Sequence, residues 1–245
     1  MEHNHITAAH QRPNYRLETP APLLYTLAAG LGSGIVGVIL TLFSPATQRL
    51  LAVILLGAGL LAVGLTTLVT RVLGSGARLA ARRKLMNAVV WRGDETVLDV
   101  GCGNGFLLVE AAKRLTTGTA TGIDIWLENS GGQSVAVVRQ NARLEGVDDR
   151  IEVQNVDARQ MPFEDEMFDV IMSSLALHHM GSDAPRAQTV AEMVRVLKPG
   201  GTILLYDFFP MINQAAGIMR QQGAMQTRRL GGVALVVLAG GKPGR

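Results

Sequence analysis

Val97-Leu-Asp-Val-Gly-Cys-Gly-Asn-Gly-Phe106 is an apolar run that ends in three alternating glycines. The run predicts a buried strand, and the glycines predict a tight turn into a helix. Glycine lets the main chain approach a ligand where any Cβ would collide. In an open α/β sheet, nucleotide ligands bind at such turns, beyond the carboxyl ends of the strands. The spacing narrows the choice of ligand. A dinucleotide fingerprint has its third glycine five residues after the first, where this chain has Phe106, with Gly105 one residue early. No phosphate-loop lysine follows, which counts against an ATP loop.

Working outward, short apolar runs alternate with amphipathic stretches. Strands are expected at Thr96–Val100, Thr119–Asp124, Ile151–Asn155, Met167–Ser173 and Thr202–Asp207. Helices are expected at Arg78–Val90, Phe106–Leu115, Gln133–Glu145 and Pro185–Leu197. That alternation predicts a parallel sheet covered on both faces. Gly223–Leu230 and Val233–Ala239 flank Gly231-Gly232 and predict a closing hairpin with one strand antiparallel.

In these motifs and their order the chain resembles the class I S-adenosylmethionine-dependent methyltransferases, over roughly Leu79 to Ala239. The resemblance implies a Rossmann-like, doubly wound seven-stranded α/β sheet whose last strand is antiparallel. Asp99-Val-Gly-Cys-Gly-Asn-Gly105 matches the family's acidic glycine motif, so Asp99, Gly101, Cys102, Gly103, Asn104 and Gly105 become cofactor candidates. Asp124 lies 23 residues beyond Gly101, where a carboxylate can accept from ribose hydroxyls, and Ile125 follows it. Asn155-Val-Asp-Ala158 resembles the adenine corner and nominates Asp157 and Ala158. Met161–Ser174 resembles the fourth-strand motif, adding Ser174, and Val196–Thr202 resembles the turn into the fifth strand. The resemblance implies S-adenosylmethionine as cofactor. The stretch Ile125–Gly132 is longer than the family's usual turn, and it brings Trp126, either over an adenine or packed on the strand end.

Methyl transfer leans on orientation, because the leaving group is already activated. An oxygen or carbon acid would still need a base, and Ser174-Leu-Ala-Leu-His-His-Met180 offers His179 and, second, His178 at the carboxyl edge of the sheet. The alternative is that these histidines shape the loop. His3, His5 and His10 lack companions for a metal site and read as a polar tail, so no metal is expected. Asp183 and Glu164–Glu166 read as solvated surface.

The 245 residues are 48% hydrophobic and 18% charged, with mean hydropathy +0.24. Such a chain is too apolar to be disordered. One cysteine, Cys102, excludes an intrachain disulfide and a Cys-based zinc cluster. The missing charges have an address. No charge occurs from Thr19 to Gln48 or from Leu50 to Thr70, which predicts a transmembrane helical hairpin with spans 23–43 and 50–70. A soluble buried hairpin is the competing reading. Gly30/Gly34, Ser33/Gly37, Gly57, Gly59 and Gly64 supply the small residues that let helices approach, within the hairpin or between copies. Arg12, Arg16, Arg71, Arg78, Arg82, Arg83 and Lys84 flank one side and Arg49 the other, which predicts a multi-pass membrane protein with both termini cytoplasmic.

The expected organisation is a polar tail (1–22), the hairpin (23–70), a basic juxtamembrane segment (71–92) and a methyltransferase domain (93–245). The pI of about 9.3 misleads about the last of these. Residues 93–245 hold 14 Lys and Arg against 18 Asp and Glu, an acidic core behind a basic collar suited to anionic headgroups. That argues against a nucleic-acid partner. The expected function is methylation of a small lipophilic acceptor by a membrane-anchored enzyme. Competing readings are a membrane-bound nucleotide-dependent oxidoreductase and a catalytically silent assembly module on the same fold. The acceptor and the oligomeric state are not readable.

Overall fold

The computed structural model describes residues 13–15, 21–43, 45, 49–73, 75–126, 133–222, 226–231 and 235–244. The chain divides into two compact units, Leu17–Ala80 and a second made of Met1–Arg16 with Ala81–Arg245. The tail histidines His3, His5 and His10 lie outside the described residues.

The first unit is a helical hairpin of α1 (Ala21–Phe43) and α2 (Arg49–Leu73). Glycine decides how closely the helices pack. A Cβ on Gly59 would meet the Gly30 carbonyl and the Gly34 nitrogen at 2.7 Å, and one on Gly37 would meet the Leu56 nitrogen at 2.7 Å. Gly57 and Gly64 face open space, so only part of the expected glycine set serves this contact. Outward lie Leu31, Ile35, Val36, Ile39 and Leu42 of α1 and Leu50, Val53, Ile54, Leu60, Leu61 and Leu65 of α2, all exposed. Among the described residues no helix is long and apolar enough to cross a membrane. Side chains are described over 28–40 of α1 and 52–68 of α2, runs shorter than the roughly 20 residues a crossing takes. The spans expected at 23–43 and 50–70, and the multi-pass placement drawn from them, are therefore not shown by the structure.

The second unit is a seven-stranded sheet in the order β3-β2-β1-β4-β5-β7-β6. Its strands are β1 (Thr96–Val100), β2 (Thr119–Asp124), β3 (Ile151–Asn155), β4 (Phe168–Ser174), β5 (Leu197–Phe208), β6 (Gln226–Gly231) and β7 (Leu235–Gly241). The first five pair in parallel, and β7 runs antiparallel to both β5 and β6. Strand alternation sorts the core into two layers. Leu98, Val100, Ile171, Ile203 and Leu205 face α6 (Asp183–Val196) and α7 (Phe209–Gln221). Val97, Val170, Met172, Leu204 and Tyr206 face α4 (Phe106–Ala112), α5 (Val135–Leu144) and the end of α3 (Ser75–Met86). Both layers exclude water, so the strands read as continuous apolar runs.

Several boundaries differ from expectation for local reasons. α3 ends at Met86, not Val90, because the Trp91 indole N–H takes the Met86 carbonyl at 2.8 Å and turns the chain. α4 stops at Ala112, where Arg114 and Leu115 bond back three residues in a tighter turn. The helix α7 was not expected at all. It buries Ile212, Ala215, Ala216 and Met219 at helical spacing and has Pro210 in its first turn.

Candidate active site

β1 and β4 are neighbours whose chain connections leave in opposite directions, so their carboxyl ends form the crevice where α/β sheets bind ligands. The structure brings two turns together there. Gly101, Gly103 and Gly105 all have positive φ, +71°, +53° and +79°. A Cβ at Gly101 would lie 2.3 Å from the Ala176 Cβ in the turn after β4, so only glycine permits this approach. On the far side Leu175 also takes positive φ, +55°, a strained conformation for a branched residue of the kind that clusters at working sites.

The two acids beside the glycine turn play different parts. Asp99 is buried and accepts the Leu108 N–H at 3.0 Å, tying the strand to α4. Burial pushes its carboxyl up to about 7 against the pull of that N–H, and the Asp124 charge adds to the rise. Asp124 accepts the Gly103 N–H at 2.8 Å and the Ile125 N–H at 2.8 Å. A carboxylate has about four lone-pair sites, so Asp124 fixes the turn and keeps acceptor capacity for a neighbouring diol. Cys102 is buried behind the turn, and burial raises its thiol pKa. It is a packing residue, not a nucleophile. Among the described residues, Asn104 Oδ1 is the buried side-chain polar atom without a partner.

Trp126 packs with the β-sheet layer of α4 and α5, and its indole N–H donates to the Gly103 carbonyl at 3.1 Å. Residues 127–132 of the long stretch after β2 lie outside the described set. Asp157 stands apart, because Arg159 takes both of its oxygens at 2.9 Å and the guanidinium holds its pKa below the usual range. Ala158 packs against the core, Ser174 ends β4, and Ile125 is exposed beside the crevice.

The histidine pair lies in the 3-10 turn Leu177–Met180. His178 Nδ1 sits 3.0 Å from Asp207 Oδ1, and Asp207 is almost wholly buried at the end of β5. The other Asp207 oxygen accepts the Leu177 N–H at 3.0 Å. An ionised carboxylate only accepts, so the proton of a neutral His178 lies on Nδ1 and its Nε2 carries the lone pair. Sequence reading set His179 first and missed Asp207. The signal available was the apolar run Ile203–Tyr206 ending in an acid, a charge that a strand buries only for a partner. Asp183 pairs with Arg186, and Asp165 with Arg195 at 2.8 Å. A surface cavity of about 450 Å³ among Asp165, Glu166, Arg195 and Lys242 lies away from the crevice, and its charges pair with one another.

Known proteins resemble this chain over the region that carries the crevice. Residues 98–205 match the family model described as a methyltransferase domain. The chain is 34% identical over 158 residues to 27-O-demethylrifamycin SV methyltransferase of Amycolatopsis mediterranei, covering 63% of this chain and 53% of that one. It is 30% identical over 139 residues to the ubiquinone/menaquinone biosynthesis C-methyltransferase UbiE of Geotalea daltonii, covering 56% of each. The chain thus spans about half the length of these relatives. In fold it resembles the YcgJ protein of Bacillus subtilis, with a TM-score of 0.57 at 16% identity over 68% of this chain and 99% of that one. The crevice-bearing unit has the class I methyltransferase fold.

Proposed function

We propose that the protein is an S-adenosylmethionine-dependent methyltransferase acting on a small lipophilic acceptor, with the hairpin holding it at a bilayer. One observation carries the cofactor reading: a left-handed glycine turn pinned by the Asp124 carboxylate at the sheet's switch point. The residues fit an adenosine-type group. The turn bares its main chain, Asp124 retains acceptor sites for a ribose diol, and Asn104 Oδ1 is a buried acceptor awaiting a donor. Ile125 and Ser174 stand at the carboxyl ends of β2 and β4, Ala158 packs on the core beyond β3, and Asp99 is buried beneath the turn. Asp157 is the adenine-side acid, sharing its oxygens with Arg159.

When bound, the sulfonium supplies an activated methyl group for in-line displacement. The chain's own part is to orient the acceptor, exclude water and accept a proton. His178 Nε2 is the acceptor of that proton, with Asp207 fixing the tautomer and stabilising the imidazolium. His179, its ring tilted 39° against that of His178 with centroids 4.0 Å apart, shapes the rim. Phe208, edge-on to His178 at 5.0 Å, and Phe209 are partly exposed there, a lining suited to an apolar acceptor. The quinone and rifamycin substrates named for the relatives are of this kind.

The membrane part rests on the exposed apolar faces of α1 and α2 and on hydroxyls that bond back into their own helix, Ser33 to Gly30 and Thr66 to Ala62. Seven basic flanking residues against one support a cytoplasmic side for both termini. Calorimetry with S-adenosylmethionine tests the cofactor site. The wild type is expected to bind and Asp124→Ala to bind weakly, whereas equal binding by both defeats the assignment. Mass spectrometry of membrane extracts for a protein-dependent +CH2 product identifies the acceptor. Alkaline carbonate extraction tests the anchor, and release of the full chain into the supernatant refutes it.

A further inference from the structure

Pro13–Tyr15, expected to be part of a polar tail, docks beside the glycine turn through main-chain groups. The Asn14 N–H donates to Asn141 Oδ1 at 2.7 Å, and the Asn14 carbonyl accepts from Asn141 Nδ2 at 3.2 Å. Side-chain amide and peptide thus pair reciprocally, as two peptides would. Asn141 is buried on α5, and its Nδ2 also donates to the Asn104 carbonyl at 2.9 Å. Asn104 Nδ2 in turn donates to the Asn14 carbonyl at 3.2 Å. Three asparagines, from the strap, the turn and α5, form one closed network.

Tyr15 clamps the same place. Its ring stands edge-on to Phe106 at 5.5 Å, the Arg82 guanidinium lies 4.3 Å from the Phe106 centroid, and the hydroxyl donates to Glu145 at 3.3 Å. Phe106 occupies the position of the dinucleotide fingerprint's third glycine. Its ring is the platform on which the strap rests.

We infer that Pro13–Tyr15 is a positioning strap that holds Asn104, and with it the glycine turn, in the conformation that receives the cofactor. This rests on the cofactor reading above. The argument is preorganisation. Asn104 lies between Gly103 and Gly105, the residues with most conformational freedom to lose. Fixing it by both its carbonyl and its side chain removes that cost before binding. Reciprocity follows, since a ligand that binds the ordered turn more tightly must tighten the strap by the same factor.

The test compares three variants of the full chain by calorimetry with S-adenosylhomocysteine, together with amide exchange at residues 13–15 and 103–105. Because the network reads the Asn14 main chain, Asn14→Ala is expected to bind as the wild type does. Asn14→Pro, which removes the N–H, and Tyr15→Ala are expected to weaken binding roughly tenfold, a common size for coupling between sites. Exchange at 103–105 is expected to quicken in both without ligand, and ligand is expected to protect 13–15 in the wild type. Wild-type affinity in Asn14→Pro and Tyr15→Ala, or unchanged exchange at 103–105, overturns the strap. Failure of the wild type to bind would refute the cofactor reading instead, and the ligand-free exchange at 103–105 would still decide the strap.

Discussion

Gly101→Ala should be far more damaging than Gly146→Ala, although the two glycines share a backbone conformation, with φ of +71° and +70°. Any L-residue in the left-handed region costs about 1–2 kcal/mol, and that cost is common to both sites. The surroundings differ. A Cβ at Gly146 meets nothing within 4 Å, while one at Gly101 would lie 2.3 Å from the Ala176 Cβ. Carbon atoms rest at about 3.5–4.0 Å, so one of the two turns must retreat by more than an ångström. Overpacking of that order costs about 1–3 kcal/mol. The expected loss is therefore about 1–2 kcal/mol for Gly146→Ala and about 2–5 kcal/mol for Gly101→Ala. Urea unfolding followed by tryptophan fluorescence measures both, because Trp126 reports directly on the turn through its bond to Gly103. Equal losses would show that the turns after β1 and β4 do not approach closely, and the crevice described above would fall with that result.

The pH dependence of stability should carry the mark of Asp99. Its folded pKa of about 7 exceeds the ordinary 3.8, so its contribution is fully present below about pH 4 and is lost as pH rises through 7. Asp99→Asn should remove up to about 4 kcal/mol of that decline, and parallel melting curves for the two proteins from pH 5 to 8 would refute it. Asp157→Asn should weaken S-adenosylmethionine binding less than Asp124→Asn, because Arg159 already occupies the Asp157 oxygens; the reverse order in calorimetry would displace Asp124 from its role. With membrane extract as acceptor, His178→Ala should lower kcat about 10²–10⁴-fold with little change in KM, and Asp207→Asn should lower it by tautomer exchange. A larger loss in His179→Ala would restore the order that sequence reading preferred.

What could be read in the sequence follows from how local each cause is. β1 and its turn were legible because buried strand, positive-φ glycines and helix start are all encoded within ten residues. The spacing from Gly101 set Asp124 at the end of β2, where it accepts the Gly103 N–H. Asp207 was not legible, since its importance depends on β5 lying beside β4 and bringing it to a histidine 29 residues away. The docking of Asn14 was further out of reach. Its bonds come from peptide groups, which every residue possesses, to asparagines 90 and 127 positions along the chain.

Glycine shows the same limit within a single residue type. Gly30, Gly37 and Gly59 are helical, and their lack of a side chain lets α1 and α2 meet backbone to backbone. Gly101, Gly103 and Gly105 are left-handed, and their lack of a side chain lets the main chain turn sharply beside the turn after β4. The residues flanking them separate the two uses. Uncharged sequence surrounds the first set, and the partner it meets is the other helix of the hairpin. The second set is bounded by Asp99 and Asp124, which accept the main-chain N–H groups of Leu108, Gly103 and Ile125 and so fix the turn. The acids, more than the glycines, are what hold the turn in that shape.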